Sequence, residues 1–207
     1  MGDARVVGGM LLAAGASVRM GQPKLMLPLG EKTIFEVVLA SHLASSLRGV
    51  CAVVPGWLTG FRVAAQKHAG ERLGLVELDE PGPLSRSIKA GWQWVERTWR
   101  PDGVMISLAD KPLVTTRTIE QVIECYARGT HEICVPVYAG QWGHPVVVSL
   151  RLGPEIMALE GDRGAMEVLK ADPSRVREVE VESDGIIFDI DTAEDVEELR
   201  TRLGLNE

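Results

Sequence analysis

The sequence predicts an α/β fold, a single domain with a mainly parallel sheet. Short apolar runs alternate with stretches of helical spacing through residues 1–130, and this alternation indicates β-α-β crossovers. A length of 207 residues suits one domain, and 45% hydrophobic with 25% charged residues is typical of a globular chain. Neither a linker nor a repeat marks a second domain, so residues 1–207 are assigned to one.

In the first half of the chain, each element rests on its apolar pattern and on the turn residues around it. Short apolar runs predict the strands Val6–Leu12, Val50–Val54, Leu75–Leu78 and Gly103–Leu108. Apolar residues at helical spacing predict the helices Thr33–Ser46, Leu58–Ala69 and Leu84–Trp99. Gly49 follows the first of these helices and Pro101 ends the third, while Pro55-Gly56 closes the second strand.

The second half shows the same two patterns with a longer irregular stretch between them. Apolar runs predict the strands Ile133–Val137, Val146–Ser149, Val176–Val181 and Ile186–Ile190. Helical spacing predicts the helices Thr115–Tyr126, Glu155–Glu160, Gly164–Ala171 and Ala193–Leu203. The stretch 139–165 is rich in glycine, and we expect it to form one wall of a cleft.

Charge and composition exclude several classes of protein. A net charge of −7 argues against nonspecific nucleic-acid binding, which needs a basic face. No run approaches the length of about 18 apolar residues that a membrane span requires. The amino terminus lacks the basic region of a secretory signal, and Cys51, Cys125 and Cys134 form no C-x-x-C motif. We expect a cytoplasmic protein that binds neither nucleic acid nor membrane.

A glycine-punctuated loop follows the first predicted strand. Ligands of open parallel sheets bind beyond the carboxyl ends of strands, which is where this loop lies. Its small residues at 13–16 let the backbone approach a ligand, and Arg19 and Lys24 add charges suited to a polyphosphate. The spacing of Gly15 and Gly21 fits neither a G-x-G-x-x-G fingerprint nor a P-loop. A plain solvated turn with scattered basic residues is the remaining alternative.

The whole loop is more specific than its parts. Residues 12–24 (LAAGASVRMGQPK) resemble the nucleotidyltransferase signature L-A-[AG]-G-x-S-x-R-M-G-x-x-K, and Leu25–Gly30 fits the L-x-L-x-G segment that follows it. Four further segments continue the resemblance in order: Ser107–Val114, Gly143–Ser149, Gly161–Leu169 and Phe188–Leu199. Along nearly its entire length the chain resembles the molybdenum cofactor cytidylyltransferases and related accessory proteins of molybdenum hydroxylases.

This resemblance implies a Rossmann-like, three-layer nucleotidyltransferase fold. Residues of about 1–110 would form the nucleotide-binding part, and about 111–207 would bind the acceptor and complete the metal site. The implied nucleotide-binding residues are Leu12, Ala13, Ala14, Gly15, Ser17, Arg19, Lys24, Gly82, Ser87 and Asp110. The implied acceptor-binding residues are His144, Pro145, Asp162 and Gly164. Arg19, Lys24 and Asp110 would be catalytic.

Acidic residues at two places predict a Mg²⁺ site. Asp110 follows a predicted strand, and Mg²⁺ takes one or two carboxylates together with waters and substrate phosphates. The neighbouring Ala109 departs from the family pattern, which usually has Gly there. Asp189 and Asp191 alternate along a predicted strand, so both should point to one face. We favour Asp191 as the second metal ligand, with Asp189 as its competitor. Thr192 and Asp195 fit the capping pattern of the last helix.

The four histidines give weaker predictions of the site than the acidic residues do. His144 lies between Gly143 and Pro145 in a rigid loop, and the resemblance places it in a wall of the cleft; a loop histidine bonded to a carbonyl is the alternative. The other three, His42, His68 and His131, have no metal-ligand spacing and are expected to be structural or solvent-facing.

The resemblance implies transfer of CMP from CTP to the terminal phosphate of molybdopterin cofactor, with a molybdenum hydroxylase apo-enzyme as a candidate partner. Ala14 stands where guanylyl-transferring relatives commonly have Gly, and by analogy it favours a pyrimidine. Alternatives are transfer to another phosphorylated acceptor, use of GTP, a non-catalytic carrier of the cofactor, and an oxidoreductase that has kept this fold.

Overall fold

The computed structural model describes residues 4–15, 23–68 and 70–205. Its strands are β1 (Val7–Leu12), β2 (Pro28–Leu29), β3 (Lys32–Thr33), β4 (Val50–Pro55), β5 (Leu73–Leu78), β6 (Gly103–Leu108), β7 (Ile133–Tyr138), β8 (Gln141–Trp142), β9 (Val146–Ser149) and β10 (Val176–Glu180). Its helices are α1 (Ile34–Leu43), α2 (Thr59–Gln66), α3 (Leu84–Trp99), α4 (Thr116–Arg128), α5 (Gly153–Met157), α6 (Ala165–Ala171) and α7 (Ala193–Arg202).

The central sheet has the strand order β10-β7-β9-β6-β1-β4-β5, with β8 added to β7. β1 pairs in parallel with β4 and β6, and β4–β5 and β7–β10 are parallel as well. β9 runs antiparallel between β6 and β7. The prediction of a mainly parallel sheet is therefore confirmed, and β2 and β3 form a separate small hairpin.

Helices cover both faces of this sheet, which gives the three predicted layers. Along β1 the buried side chains alternate: Leu11 joins the core under α1, α2, α4 and α7, and Met10 joins the core under α3, α5 and α6. On the second face, Gly91 lets α3 lie close to the sheet. A Cβ at Gly91 would stand 2.2 Å from the Met10 sulfur and 2.7 Å from Val53 Cγ2, so only glycine fits.

Most element boundaries agree with the sequence-based prediction to within a few residues, and α3, β6 and β9 agree at both ends. The two-residue strands β2, β3 and β8 were not expected, and Ala69 of the predicted second helix lies outside the described residues. Across the described ranges, no helix combines the length and apolar content needed to cross a membrane.

The predicted strand Ile186–Ile190 is wrong, because the structure has no strand there. The chain forms a 3-10 turn at Asp184–Ile186 and then continues without regular structure to α7. Its backbone bonds to two different loops: the amide of His144 donates to the carbonyl of Ile186 at 3.0 Å, and the amide of Ile190 donates to the carbonyl of Asp110 at 3.1 Å. These separate anchors replace the continuous ladder that a strand requires.

Candidate active site

A cleft of about 390 Å³ opens where β1 and β6 end side by side. From β1 the chain moves to β4 and β5 on one side of the sheet, whereas β6 lies on the other side. Such a reversal of strand order leaves a crevice at the carboxyl ends, where open α/β sheets bind their ligands. The cleft is lined by Leu12, Ala13, Ala14, Gly15, Lys24, Leu25, Gly82, Leu84, Ser87, Leu108, Asp110, Asp162 and Asp191.

The floor of the cleft is the backbone that leaves β1. The amide of Ala13 donates to the carbonyl of Val53 at 2.8 Å, and the amide of Ala109 donates to the carbonyl of Leu12 at 3.0 Å. Ala14 is buried, whereas a Cβ at Gly15 would meet no atom of the described residues within 4 Å. Thus hydrogen bonds at Leu12 and Ala13 hold the backbone that leaves β1. The predicted residues Ser17 and Arg19 lie outside the described residues.

Lys24 reaches across the cleft from the short turn that precedes β2. Its Nζ donates to Asp110 Oδ2 at 3.2 Å, to Asp191 Oδ1 at 3.0 Å and to the carbonyl of Ile190. The Lys24 side chain is only 12% exposed. Burial disfavours its charged form, but the two carboxylates outweigh that effect and raise the pKa of Lys24. The ammonium group is therefore charged at neutral pH.

Asp110 and Asp191 present carboxylates to the same point from opposite walls. Asp110 lies two residues beyond β6, and its Oδ1 is buried without a hydrogen-bond partner in the described part of the chain. Asp191 is positioned by its own amide, which donates to Asp195 Oδ2 at 2.8 Å. Asp195 also completes the capping box with Thr192 at the start of α7, so that prediction is confirmed.

These two carboxylates fit a hard divalent cation. A buried carboxylate oxygen with no donor carries a desolvation cost that a bound cation would relieve. Residues 4–15, 23–68 and 70–205 contain no group of three or more His, Cys, Asp or Glu side chains able to hold a metal. Mg²⁺ needs no such group, because it keeps several waters and takes its other ligands from substrate phosphates.

Asp189 and Asp191 do not share a face, so that expectation is wrong. Without a strand at this place the two side chains diverge: Asp191 enters the cleft, and Asp189 Oδ1 lies 2.6 Å from Lys111 Nζ. The geometry therefore favours Asp191 over Asp189 as the partner of Asp110 at a metal site.

The structure places one of the four predicted acceptor-binding residues, Asp162, in the lining of the cleft. Asp162 lines the cleft, where its Oδ1 accepts from the amide of Leu84 at 3.2 Å at the start of α3. The amide of Ser85 donates to the carbonyl of Gly161 at 3.1 Å, which ties this loop to α3. Gly164 precedes α6 without lining the cleft. The division of the chain into nucleotide and acceptor parts stays a prediction.

His144 and Pro145 lie behind the cleft rather than in its lining. Nδ1 of His144 is 3.3 Å from the carbonyl of Ile106, an acceptor, so this nitrogen carries the proton. Burial lowers the pKa of His144 to about 4, and the ring is neutral at neutral pH.

Two residues behind the cleft gave little signal in the sequence. His42 is buried in α1 between the carbonyl of Val38 and the hydroxyl of Ser107, each at 2.8 Å, and burial lowers its pKa to about 4. Lys111 is buried although it is charged. The sequence shows only that Lys111 stands between Asp110 and Pro112. Its partner, Asp189, is distant in the sequence, so no local pattern predicts the pair.

Comparison with known protein families identifies the family of this chain. The model of the MobA-like NTP transferase domain matches residues 9–178, which is most of the chain. The chain belongs to the MobA-like NTP transferase family. The fold and the converging lysine and carboxylates agree with this membership, and the chain is a nucleotidyltransferase. The resemblance found from the sequence motifs is thereby confirmed at the level of this family.

Relatives of this MobA-like transferase come from several bacteria. It is 31% identical to "Purine catabolism protein PucB" of Bacillus subtilis, over 93% of this chain and 95% of that protein. Its sequence is also 31% identical to that of the homologue of Mycobacterium tuberculosis Rv0371c from Mycobacterium sp. strain JC1. The crystal structure of that protein superposes with a TM-score of 0.79, with 96% of both chains covered. A manganese complex of Rv0371C from Mycobacterium tuberculosis H37Rv shares the fold at 24% identity, with a TM-score of 0.77 and coverages of 94% and 97%.

Proposed function

We propose that this MobA-like transferase moves CMP from CTP to the terminal phosphate of molybdopterin cofactor, for the maturation of molybdenum hydroxylases. An oxygen of the acceptor phosphate attacks the α-phosphorus of CTP, the bond from that phosphorus to the bridging oxygen breaks, and pyrophosphate leaves. The observation that carries the proposal is the convergence of Lys24, Asp110 and Asp191 on one point of the cleft. The choice of CTP and molybdopterin rests on the sequence resemblance.

The chemistry needs positioning and charge neutralisation rather than a strong base. The acceptor phosphate is already an anion, so no proton has to be removed before attack. Mg²⁺ held by Asp110 and Asp191 would neutralise charge on the phosphate oxygens. Lys24 contacts both carboxylates and is the one cation among the described residues that line the cleft, so we assign it to the triphosphate. Arg19 is proposed as a second phosphate-binding cation.

The end of β1 is the proposed site for the base and ribose. Backbone groups of Leu12–Gly15 face the cleft, and Ser87 of α3 lies across from them with its side chain largely buried. The methyl group of Ala14 reduces the room there and favours a pyrimidine over a purine. One methyl group discriminates between ligands by only about 1–3 kcal/mol, so the preference for CTP should be moderate. Asp162, whose carboxylate accepts from the amide of Leu84 at the start of α3, is proposed to border the acceptor.

Thermal unfolding with each nucleotide tests this proposal. CTP, GTP, UTP, ATP and NADPH are added separately, with and without Mg²⁺, to the wild-type protein and to Asp110→Asn. A ligand at about 100 times its Kd stabilises the folded state by about 2.7 kcal/mol. We expect the largest shift from CTP with Mg²⁺, and a smaller shift in Asp110→Asn. A larger shift with GTP would refute the choice of base, and binding of NADPH alone would refute nucleotidyl transfer.

A further inference from the structure

Lys111 is a charged residue enclosed by protein directly behind the cleft. Its side chain is 6% exposed, and its Nζ lies 2.6 Å from Asp189 Oδ1. His42, Ser107 and His144 line the same small gap. Both histidines are neutral, since burial lowers the pKa of each to about 4. Among the groups that the structure describes around Lys111, Asp189 is therefore the one that supplies a negative charge at contact distance.

The Lys111–Asp189 pair joins the two segments that carry the carboxylates of the cleft. Lys111 follows Asp110 in the chain, and Asp189 lies two residues before Asp191. Between them, Ile190 is fully buried, and its amide donates to the carbonyl of Asp110 at 3.1 Å. Three successive residues, 189 to 191, thus contact the Asp110 loop or Lys24, and the pair forms the side-chain part of this junction.

Residues 184–188, which precede Asp189, pack closely against two neighbouring loops. A Cβ at Gly185 would stand 2.5 Å from the carbonyl oxygen of Leu113, and a Cβ at Gly143 would stand 2.5 Å from the carbonyl oxygen of Ile186. Close backbone contact on both sides fixes the path of residues 184–188. Residues 189–191 follow this closely packed stretch, and the ion pair is the side-chain contact that links Asp189 to the Asp110 loop.

We propose that the Lys111–Asp189 pair is a positioning device, which sets the separation of Asp110 and Asp191 for a shared divalent cation. This inference rests on the proposed function. Solvent screens this pair, because the Asp189 side chain is 46% exposed, and such a pair contributes little net stability, so stability alone does not explain it. Outer partners of metal ligands orient those ligands, and their loss typically lowers metal affinity by about 10- to 100-fold. Asp189 also neutralises a buried ammonium group that would otherwise repel the cation.

The test is Mn²⁺ affinity, measured by electron paramagnetic resonance with and without CTP. The variants are Asp189→Asn, Lys111→Arg and the double variant Lys111→Met/Asp189→Leu. We expect Mn²⁺ affinity to fall at least about tenfold in Asp189→Asn and in the double variant, and to remain near the wild-type value in Lys111→Arg, which can rebuild the pair. Urea unfolding of each protein, in parallel, shows whether the double variant keeps the stability of the fold.

A second ion pair provides the matched control. Arg175 bonds Glu155 through two hydrogen bonds, at 2.7 and 2.9 Å, and neither residue lines the cleft. Glu155→Gln should lower the free energy of unfolding and leave Mn²⁺ affinity unchanged. If the folded double variant binds Mn²⁺ as tightly as wild type while Asp110→Asn binds it weakly, the positioning role is refuted and the proposed metal site stands. If Asp110→Asn also binds as tightly as wild type, the proposed metal site itself is refuted.

Discussion

Replacement of Lys24 by methionine should change metal affinity and nucleotide affinity in opposite directions. In the structure the ammonium group lies between Asp110 and Asp191, in the space that a divalent cation bound to both would need. A charge-assisted hydrogen bond contributes about 1.5–3 kcal/mol, but Asp191 is 65% exposed and solvent screens its share. Because burial of the ammonium also opposes these contacts, we assign them about 1–2 kcal/mol together. Their removal should therefore tighten the binding of Mn²⁺ alone by about 5- to 30-fold.

The nucleotide should respond in the other direction. Lys24 is proposed to bind the triphosphate, and loss of one charge-assisted hydrogen bond of about 1.5–3 kcal/mol weakens binding by about 10- to 150-fold. Titration calorimetry with CTP in the presence of Mg²⁺ measures this loss. Mn²⁺ binding without nucleotide is followed by electron paramagnetic resonance. Tighter Mn²⁺ binding and weaker CTP binding in one variant would show that the lysine exchanges between the two.

A matched variant separates this effect from a change in net charge. Lys32 is exposed on β3 and does not line the cleft, so Lys32→Met removes the same charge elsewhere. It should leave both affinities close to those of the wild-type protein. Weaker Mn²⁺ binding by Lys24→Met without nucleotide would show that the lysine supports the metal and does not compete with it, which would rule out the proposed exchange.

Three further predictions concern packing, pH and base selection. Gly91→Ala should lower the free energy of unfolding by about 1–3 kcal/mol in urea, whereas Gly60→Ala on the exposed face of α2 should not; equal effects would contradict the close approach of α3. His42 has a pKa of about 4, below its value in the unfolded chain, so its contribution to the free energy of unfolding is lost as pH falls from about 6.5 to 4. The loss should be about 2 kcal/mol at pH 5, and a wild-type pH profile in His42→Gln would disprove it. Ala14→Gly should shift the ratio of CTP to GTP affinity toward GTP, by at most about 150-fold in competition binding; an unchanged ratio would remove Ala14 from base selection.

Local patterns predict much of this fold because each element carries its own signal. The helix α3 combines a buried apolar face with a proline after its end, and β6 is a short apolar run between a glycine and polar residues. In both cases burial and turn chemistry lie within the segment itself. The predicted bounds therefore match the structure at both ends.

The segment 186–190 shows where such reasoning fails. Its apolar residues Ile186 and Ile190 are buried, as they would be in a strand. The hydrogen bonds come instead from the loops at Asp110 and His144, which are distant in sequence. Periodicity reports burial and not the origin of the backbone partners, so it cannot distinguish a ladder from two separate anchors.

The sequence motifs pointed to residues that the structure brings into one cleft, but they missed a pairing between distant parts of the chain. Lys24, Asp110 and Asp191 all line the cleft, and the role of each stays a prediction. Asp189 does not, because its partner Lys111 lies 78 positions earlier, and no spacing rule connects the two. His144 was expected in a cleft wall, but its ring bonds the carbonyl of Ile106 behind the cleft.

A transfer assay with the purified protein tests the proposed reaction directly. Molybdopterin cofactor is incubated with Mg²⁺ and with CTP, GTP, UTP or ATP in turn, and the products are identified by mass spectrometry while pyrophosphate is measured. We expect CMP-linked cofactor and an equal amount of pyrophosphate, with CTP preferred and with loss of turnover in Asp110→Asn. Cofactor that binds but is returned unmodified with every nucleotide would contradict it and identify the protein as a carrier.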